Sequence, residues 1–160
     1  MTPQETNTIV GSTIGGWRVL ELLGAGKSAT VFKAVRARKN AALKVFDSRL
    51  VDEFGRESQL NRIQRELSIK NHSHPNLVKI LDGGECSTTG HLYVAMELVN
   101  APNLASVITK VPRSSIRRII SQIASAAKFL EDLDLVHRDI KPDNIVIDSE
   151  FAKQHYLTSE

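Results

Sequence analysis

Between Leu135 and Ile145 the chain reads Leu-Val-His-Arg-Asp-Ile-Lys-Pro-Asp-Asn-Ile, so ionisable and amide side chains crowd into a short stretch between two apolar segments. Asp139 can accept a proton from an attacking hydroxyl, and Lys141, two residues on, can neutralise a phosphoryl oxygen. Asn144 can offer its carbonyl oxygen to a hard divalent cation. Together these are the parts of a phosphoryl transfer site. A polar surface turn set by Pro142 and Asn144 is the plainer alternative. Two upstream stretches bear on the choice. Gly24 and Gly26 lack side chains where a backbone would approach a phosphate. Lys44 sits between Leu43 and Val45 in an apolar segment, where burial is costly unless an anion receives the charge; a lysine pointing to solvent is the alternative there.

Elements must position these residues. Trp17 to Leu23 alternates as a strand, the glycines break it, and Thr30 to Val35 resumes with β-branched and aromatic residues, which predicts a hairpin with a glycine-rich tip. A third strand, Ala41 to Phe46, follows a basic turn from Arg36 to Asn40. Residues Glu53 to Asn71 are helical in pattern, with Leu60, Ile63 and Leu67 as the apolar stripe and Glu66 near its edge. Glu66 and Glu57 on this helix are both candidate partners for Lys44. Val78 to Leu81 and His91 to Glu97 read as two more strands separated by the turn-rich Asp82 to Gly90, giving a five-stranded antiparallel sheet. A short helix near Asn103 to Thr109 and a longer one from Arg113 to Asp132 come next. In the longer helix Ile116, Ile119, Ile120, Ile123, Ala127 and Leu130 recur at helical spacing, and Pro112 supports its start. Ile145 to Ile147 is a strand backing the polar loop. Residues 1–14 are polar and aperiodic and read as a flexible leader, leaving 15–160 as one domain.

A chain of 160 residues with 41% hydrophobic content is long enough to bury a core. Its net charge of +3 comes from 21 basic and 18 acidic residues that are interspersed, so no nucleic-acid stripe or polybasic membrane patch stands out. Cys86 is the only cysteine, which excludes an intrachain disulfide and agrees with a reducing, cytoplasmic setting. No signal-peptide pattern opens the sequence, and no apolar run approaches membrane-spanning length. His72, His74, Cys86 and His91 match no common zinc spacing.

The segment Gly24-Ala25-Gly26-Lys27-Ser28 ends like a nucleotide-binding P-loop. That motif, however, would need glycine at Glu21 and would open into a helix, whereas Ala29-Thr30-Val31-Phe32 continues as a strand. Gly24, Gly26 and Val31 fit the pattern G-x-G-x-x-G-x-V of the protein kinase family, with Ala29 where the third glycine stands. Ala42-Leu43-Lys44 resembles the family's V-A-I-K. Arg65-Glu66-Leu67 followed by His74-Pro75-Asn76 resembles the end of its helix and exit turn. His137-Arg138-Asp139 with Asn144 resembles H-R-D-L-x-x-x-N, and Lys141 is similar to the serine/threonine branch. The resemblance implies an α+β, protein kinase-like fold: an antiparallel small lobe with one helix, plus the first part of a helical large lobe. It also implies ATP and Mg²⁺ as ligands and a protein substrate with a serine or threonine hydroxyl as acceptor. Asp139 and Lys141 would be catalytic and Asn144 would ligate the metal. Gly24, Gly26, Val31, Ala42, Lys44 and Glu66 would serve the nucleotide. Met96 would be the gatekeeper behind the adenine, and the backbones of Glu97 and Val99 would bond its edge.

The resemblance covers about Trp17 to Thr158. No Asp-Phe-Gly follows; Ser159, or Thr158 by a one-residue shift, stands where the metal aspartate belongs, and no aspartate comes after Asp148. Arg138, which in the family can bind activation-loop phosphate, has no candidate partner. The expectation is a truncated kinase, weak or inactive alone, with a complementing second-lobe polypeptide as a possible partner. A non-catalytic pseudokinase-like remnant that binds nucleotide or protein is the alternative, and a P-loop NTPase a distant third.

Overall fold

The computed structural model describes residues 1–26, 28–147 and 155–157. The chain divides into two units, Met1–Asn71 with Ile80–Leu98 and His72–Lys79 with Val99–Glu160.

The first unit begins with helix α1, Pro3–Ile9, although its sequence has little apolar periodicity. A reciprocal cap holds its start: the Glu5 amide donates to Thr2 Oγ1 at 3.2 Å, and the Thr2 amide donates to Glu5 Oε2 at 2.6 Å. Strand β1, Thr13–Ile14, follows and pairs with β2, Trp17–Ala25. The expectation of a flexible leader over 1–14 is therefore corrected, because Ile9 and Ile14 are buried in the core and Met1 packs against it. Strands β3, Ala29–Arg36, and β4, Lys39–Phe46, form a tight hairpin whose two turn residues, Ala37 and Arg38, have φ of 48° and 66°. That is the two-residue turn whose twist matches the strands, shorter than the expected basic turn.

Helices α2, Ser48–Phe54, and α3, Arg56–Ser68, replace the single helix expected from Glu53 to Asn71. Asp47 caps α2, which begins earlier than the apolar stripe suggested, and Gly55 at φ 83° breaks the run with a conformation that favours glycine. Strand β5 runs Ile80–Glu85 and β6 Leu92–Glu97. β5 thus starts later than predicted and takes up Asp82 to Glu85, which had read as turn. A register shift between Ile80 and Asp82 accommodates this, and Arg36 Nη1 donates to Asp82 Oδ2 at 2.5 Å while its guanidinium lies 4.2 Å over the Trp17 ring. The sheet has six antiparallel strands in the order β1-β2-β3-β4-β6-β5, one more than expected because β1 comes from the supposed leader.

Cross-strand partners share a face, so the register sorts the sheet into two surfaces. Phe32, Leu43 and Ala95 lie in one row and Ala34 and Ala41 in another. These residues join Ile9, Ile14, Trp17, Val19, Val45 and Tyr93 in the apolar core. A large side chain buried as fully as Phe32 or Leu43 contributes about 1.5 to 3 kcal/mol. The opposite face carries the rows Val31, Lys44, Val94, Gly83 and Lys33, Ala42, Met96, Ile80. Helix α3 packs on that side. A Cβ at Gly83 would stand 3.2 Å from Leu67 Cδ2 and 3.0 Å from the Tyr93 carbonyl, so glycine is what lets the helix come down on the sheet.

In the second unit, Asn103 caps α4, Leu104–Val107, by accepting from the Ser106 amide at 2.9 Å. A 3-10 turn, Ile108–Lys110, continues it. Helix α5, Arg113–Glu131, buries Ile119, Ala126 and Leu130, while Ile116 and Ile120 remain 45% and 61% exposed. The His72–Lys79 segment belongs with α5. The His74 ring stacks on Phe129 with centroids 5.1 Å apart, and its Nε2 is 3.1 Å from Ser125 Oγ. Strand β7, Ile145–Ile147, pairs antiparallel with β8, His155–Leu157. The predicted positions of Thr158 and Ser159 lie outside the described residues.

Candidate active site

The residues singled out from the sequence fall into two groups, one in each unit. In the first unit, Val31 and Lys44 are direct cross-strand partners, as are Ala42 and Met96, and all four share the face that α3 covers. Period-two alternation along β3, β4 and β6 brings this about, since each places every second residue on that side. Lys44 is 4% exposed, with Nζ 5.1 Å from the centroid of the Phe46 ring, two residues on and on the same face. An ammonium over an aromatic face is attracted to the ring quadrupole, but a strongly buried cation also calls for anionic company.

Glu66 lies on α3 next to Leu67, the residue that approaches Gly83 at the end of the row containing Lys44. Its carboxylate is 12% exposed, and Arg62 on the preceding turn has Nε 3.8 Å from Oε1. Glu57 stands in the first turn of the same helix and is exposed.

The β2–β3 hairpin pairs Gly24 with Val31 and closes with the Gly26 amide donating to the Ala29 carbonyl at 2.8 Å. A Cβ at Gly24 would meet nothing within 4 Å, and one at Gly26 would meet the Ala29 carbonyl oxygen at 3.3 Å. Both glycines leave the backbone approachable. Ala29, in place of the third glycine, is buried as the first residue of β3 and pairs with Phe46. Met96 is buried, Glu97 ends β6 exposed, and Val99 follows as the first residue of that stretch in the second unit.

In the second unit α5 hands the chain to the polar loop. The Leu135 amide donates back to the Leu130 carbonyl at 2.9 Å, with Asp134 in the left-handed region at φ 57°. This is a helix stop of the kind glycine usually makes, with an aspartate in its place. Arg138 is left-handed as well, at φ 66°. The following residue, Asp139, is held from several sides. Its amide donates to His137 Nδ1 at 3.4 Å, and Lys141 Nζ lies 2.7 Å from Oδ2. Asn144, 6% exposed on a 3-10 turn started by Pro142, donates through Nδ2 to Oδ2 at 2.8 Å and to the Asp139 carbonyl at 3.0 Å. The loop is pinned below by the bridge between Asn103 and Val146 and by the Ile147 amide donating to the Pro102 carbonyl at 2.9 Å. Lys141 and Asn144 therefore converge on the Asp139 carboxylate, whose side chain is 35% exposed.

Sequence reasoning missed the support given by His137, Val94 and Gly83. The parity of β6 contained the signal for Val94. Gly83 was hidden because Asp-Gly-Gly reads as a turn.

As to ligands, the α3-covered face suits a nucleotide, with a buried cation, small and apolar side chains, and a bare glycine hairpin. Among the described residues no group of three or more His, Cys, Asp or Glu is placed to hold a metal ion. With Nδ2 turned to Asp139, the Asn144 amide oxygen is the atom it could offer to a cation. Mg²⁺ typically fills the rest of its shell with water and phosphate oxygens. No helix among the described residues is long and apolar enough to cross a membrane.

The chain is similar to known proteins. The family model for the protein kinase domain matches residues 17–155. Serine/threonine-protein kinase pkn3 of Myxococcus xanthus is 32% identical over 155 residues, which cover 92% of this chain and 28% of that protein. Mitogen-activated protein kinase kinase kinase 1a of Physcomitrium patens is 33% identical over 138 residues, 83% of this chain and 18% of that protein. The solved kinase domain of Mycobacterium tuberculosis PknI superposes with a TM-score of 0.77 at 26% identity, covering 94% of this chain and 61% of that one. The chain thus spans less than a third of either curated relative.

Proposed function

The chain belongs to the protein kinase domain family, and from that premise we propose that it binds ATP and carries the catalytic loop of a serine/threonine protein kinase, which transfers the γ-phosphate of ATP to a protein hydroxyl. The observation that carries this reading is the convergence of Lys141 and Asn144 on the Asp139 carboxylate. Asp139 accepts the proton of the attacking serine or threonine, and Lys141 offsets charge on the transferred phosphoryl group. Asn144 orients Asp139 through Nδ2, and its amide oxygen is the atom that would hold Mg²⁺. Lys44 contacts the nucleotide phosphates and Glu66 orients it. Gly24 and Gly26 let the hairpin backbone close over the phosphates. Val31 and Ala42 wall the adenine, with Met96 behind it and the main chain of Glu97 and Val99 along its edge. The chemistry Mg²⁺ would supply when bound is neutralisation of phosphate charge. A cytoplasmic location fits a single, free, buried cysteine.

The test is radiolabelled ATP with a generic basic protein as acceptor, with Asp139→Asn as the control. The 160 residues alone are expected to stay near the control, because Asn144 is the only metal ligand assigned among the described residues and loss of one electrostatic contribution commonly costs about 10² to 10³ in rate. Adding a second-lobe polypeptide should raise incorporation in an Asp139-dependent way. Incorporation by the 160 residues alone that vanishes in the control would show a working minimal kinase. Incorporation indifferent to Asp139 in every mixture would refute its role.

A further inference from the structure

Arg56 is the wrong residue for its place in a helix. It is the first residue of α3, directly after Gly55, which gives no side-chain cap, and a cation at a helix amino end opposes the helix dipole. Its contacts account for its presence. Nε donates to Glu85 Oε2 at 3.3 Å, Nη2 lies 2.8 Å from Glu85 Oε1, and Nη2 donates to the Gly90 carbonyl at 2.6 Å. The guanidinium thus grips both oxygens of one carboxylate and a main-chain carbonyl, the planar recognition that distinguishes arginine from lysine. The anchor is itself fixed. Glu85 ends β5, and the tip of the β5–β6 hairpin is closed by the Gly90 amide donating to the Cys86 carbonyl at 2.7 Å and the Cys86 amide donating to the His91 carbonyl at 2.8 Å.

Along α3 the same helix carries Glu66, and on the sheet it covers lies Lys44. Glu66 also has a competing cation on its own helix, Arg62, at 3.8 Å. Rotation of α3 over the sheet would carry Arg62 and Glu66 together and change only the approach of Glu66 to Lys44. Near its carboxyl end the helix is located by Leu67 on Gly83, and at its amino end by Arg56.

We propose that Arg56, held by Glu85 and the Gly90 carbonyl, is a positioning residue for the nucleotide site: it fixes the rotation of α3 and so the approach of Glu66, which Arg62 also attends at 3.8 Å, toward Lys44. This rests on the reading of Lys44 as the phosphate-binding lysine. Because the grip is partly exposed, its effect is modest, and loss of Arg56 should weaken nucleotide binding about two- to five-fold.

The experiment measures the affinity of the full 160-residue chain for a fluorescent ATP analogue, together with amide hydrogen exchange along α3. Arg56→Ala and Glu85→Ala should each weaken binding, and the double variant should be no weaker than the worse single. In a Lys44→Ala background Arg56→Ala should have no further effect. Arg56→Lys should recover only part of the loss. Exchange should rise in residues 57–66 of both single variants and not in β3 or β4. Unchanged affinity in Arg56→Ala, alongside a loss in Lys44→Ala, would overturn the inference, as would an Arg56 effect that persists without Lys44. Failure of the unsubstituted chain to bind the analogue would instead refute the nucleotide site. Unchanged exchange along α3 would still overturn the tether.

Discussion

Replacing Asn144 with alanine removes two hydrogen bonds to a single residue, one to an ionised carboxylate oxygen at 2.8 Å and one to a main-chain carbonyl at 3.0 Å. Bonds to charged groups are worth about 1.5 to 3 kcal/mol and neutral ones about 0.5 to 1.5 kcal/mol. The Asp139 side chain is 35% exposed and keeps Lys141 at 2.7 Å, so water and the lysine recover part of the larger contribution. A net loss of about 2 kcal/mol follows, and for a chain of this size that lowers the melting temperature by about 4 to 8 °C. Asn144→Asp is the sharper probe, because it sets a second carboxylate against Asp139 with almost no change in shape. Like charges at such a separation repel by several kcal/mol even at an effective dielectric constant of about 20, so the pair retains a proton and its folded pKa rises above the ordinary aspartate value of about 3.9. A raised folded pKa means the deficit relative to the parent chain is small near pH 4 and grows as pH climbs through the folded value. Calorimetric melts of both variants and the parent at pH 4 and pH 7 decide it. A loss below about 0.5 kcal/mol at pH 7 in both variants, the range of an ordinary surface change, would show that Asn144 does not hold Asp139.

Lys44→Ala should weaken binding of a fluorescent ATP analogue about 10- to 100-fold, the equivalent of about 1.5 to 3 kcal/mol for a charge-assisted contact; equal affinity would remove Lys44 from the phosphate site. The 160-residue chain should bind a hydrophobic dye through the exposed Ile116 and Ile120, and Ile120→Lys should reduce that binding with stability changed by less than about 0.5 kcal/mol. Undiminished dye binding would place the sticky surface elsewhere. Burial lowers the pKa of His74, and its Nδ1 accepts the Asn76 amide, so the folded chain favours the neutral ring. Stability from this group is present above the unfolded value of about 6.5 and is lost as pH falls through the lower folded value, and His74→Gln should flatten that decline in a pH series of denaturant melts.

How legible the molecule was varies with the kind of pattern. The face bearing Val31, Ala42, Lys44 and Met96 could be read because alternation along a strand has one consequence for side-chain direction. The loop from His137 to Asn144 could be read because its contacts are local, within a few residues of Asp139. Helix α1 was missed although Thr-x-x-Glu at its start is a capping signal, since a search for apolar periodicity finds only Ile9. Glycine misled in both directions. Gly55 fell within a span read as one helix and separates two, whereas Gly83 looked like a turn and lies in a strand, where its missing side chain admits Leu67. Only tertiary packing distinguishes these uses.

The short run His72–Lys79, tied to α5 through His74, Ser125 and Phe129, gives the second unit a piece borrowed from the middle of the first. The polypeptide therefore passes from one unit to the other three times, and no single cut in the gene yields both as whole cassettes. A fragment starting at Val99 would leave α5 without its His74 clasp, and a fragment ending at Leu98 would carry that clasp as an orphan. Recombination, domain grafting and two-plasmid complementation must all respect this splice: any division at the boundary after Leu98 has to hand residues 72–79 to the downstream half a second time.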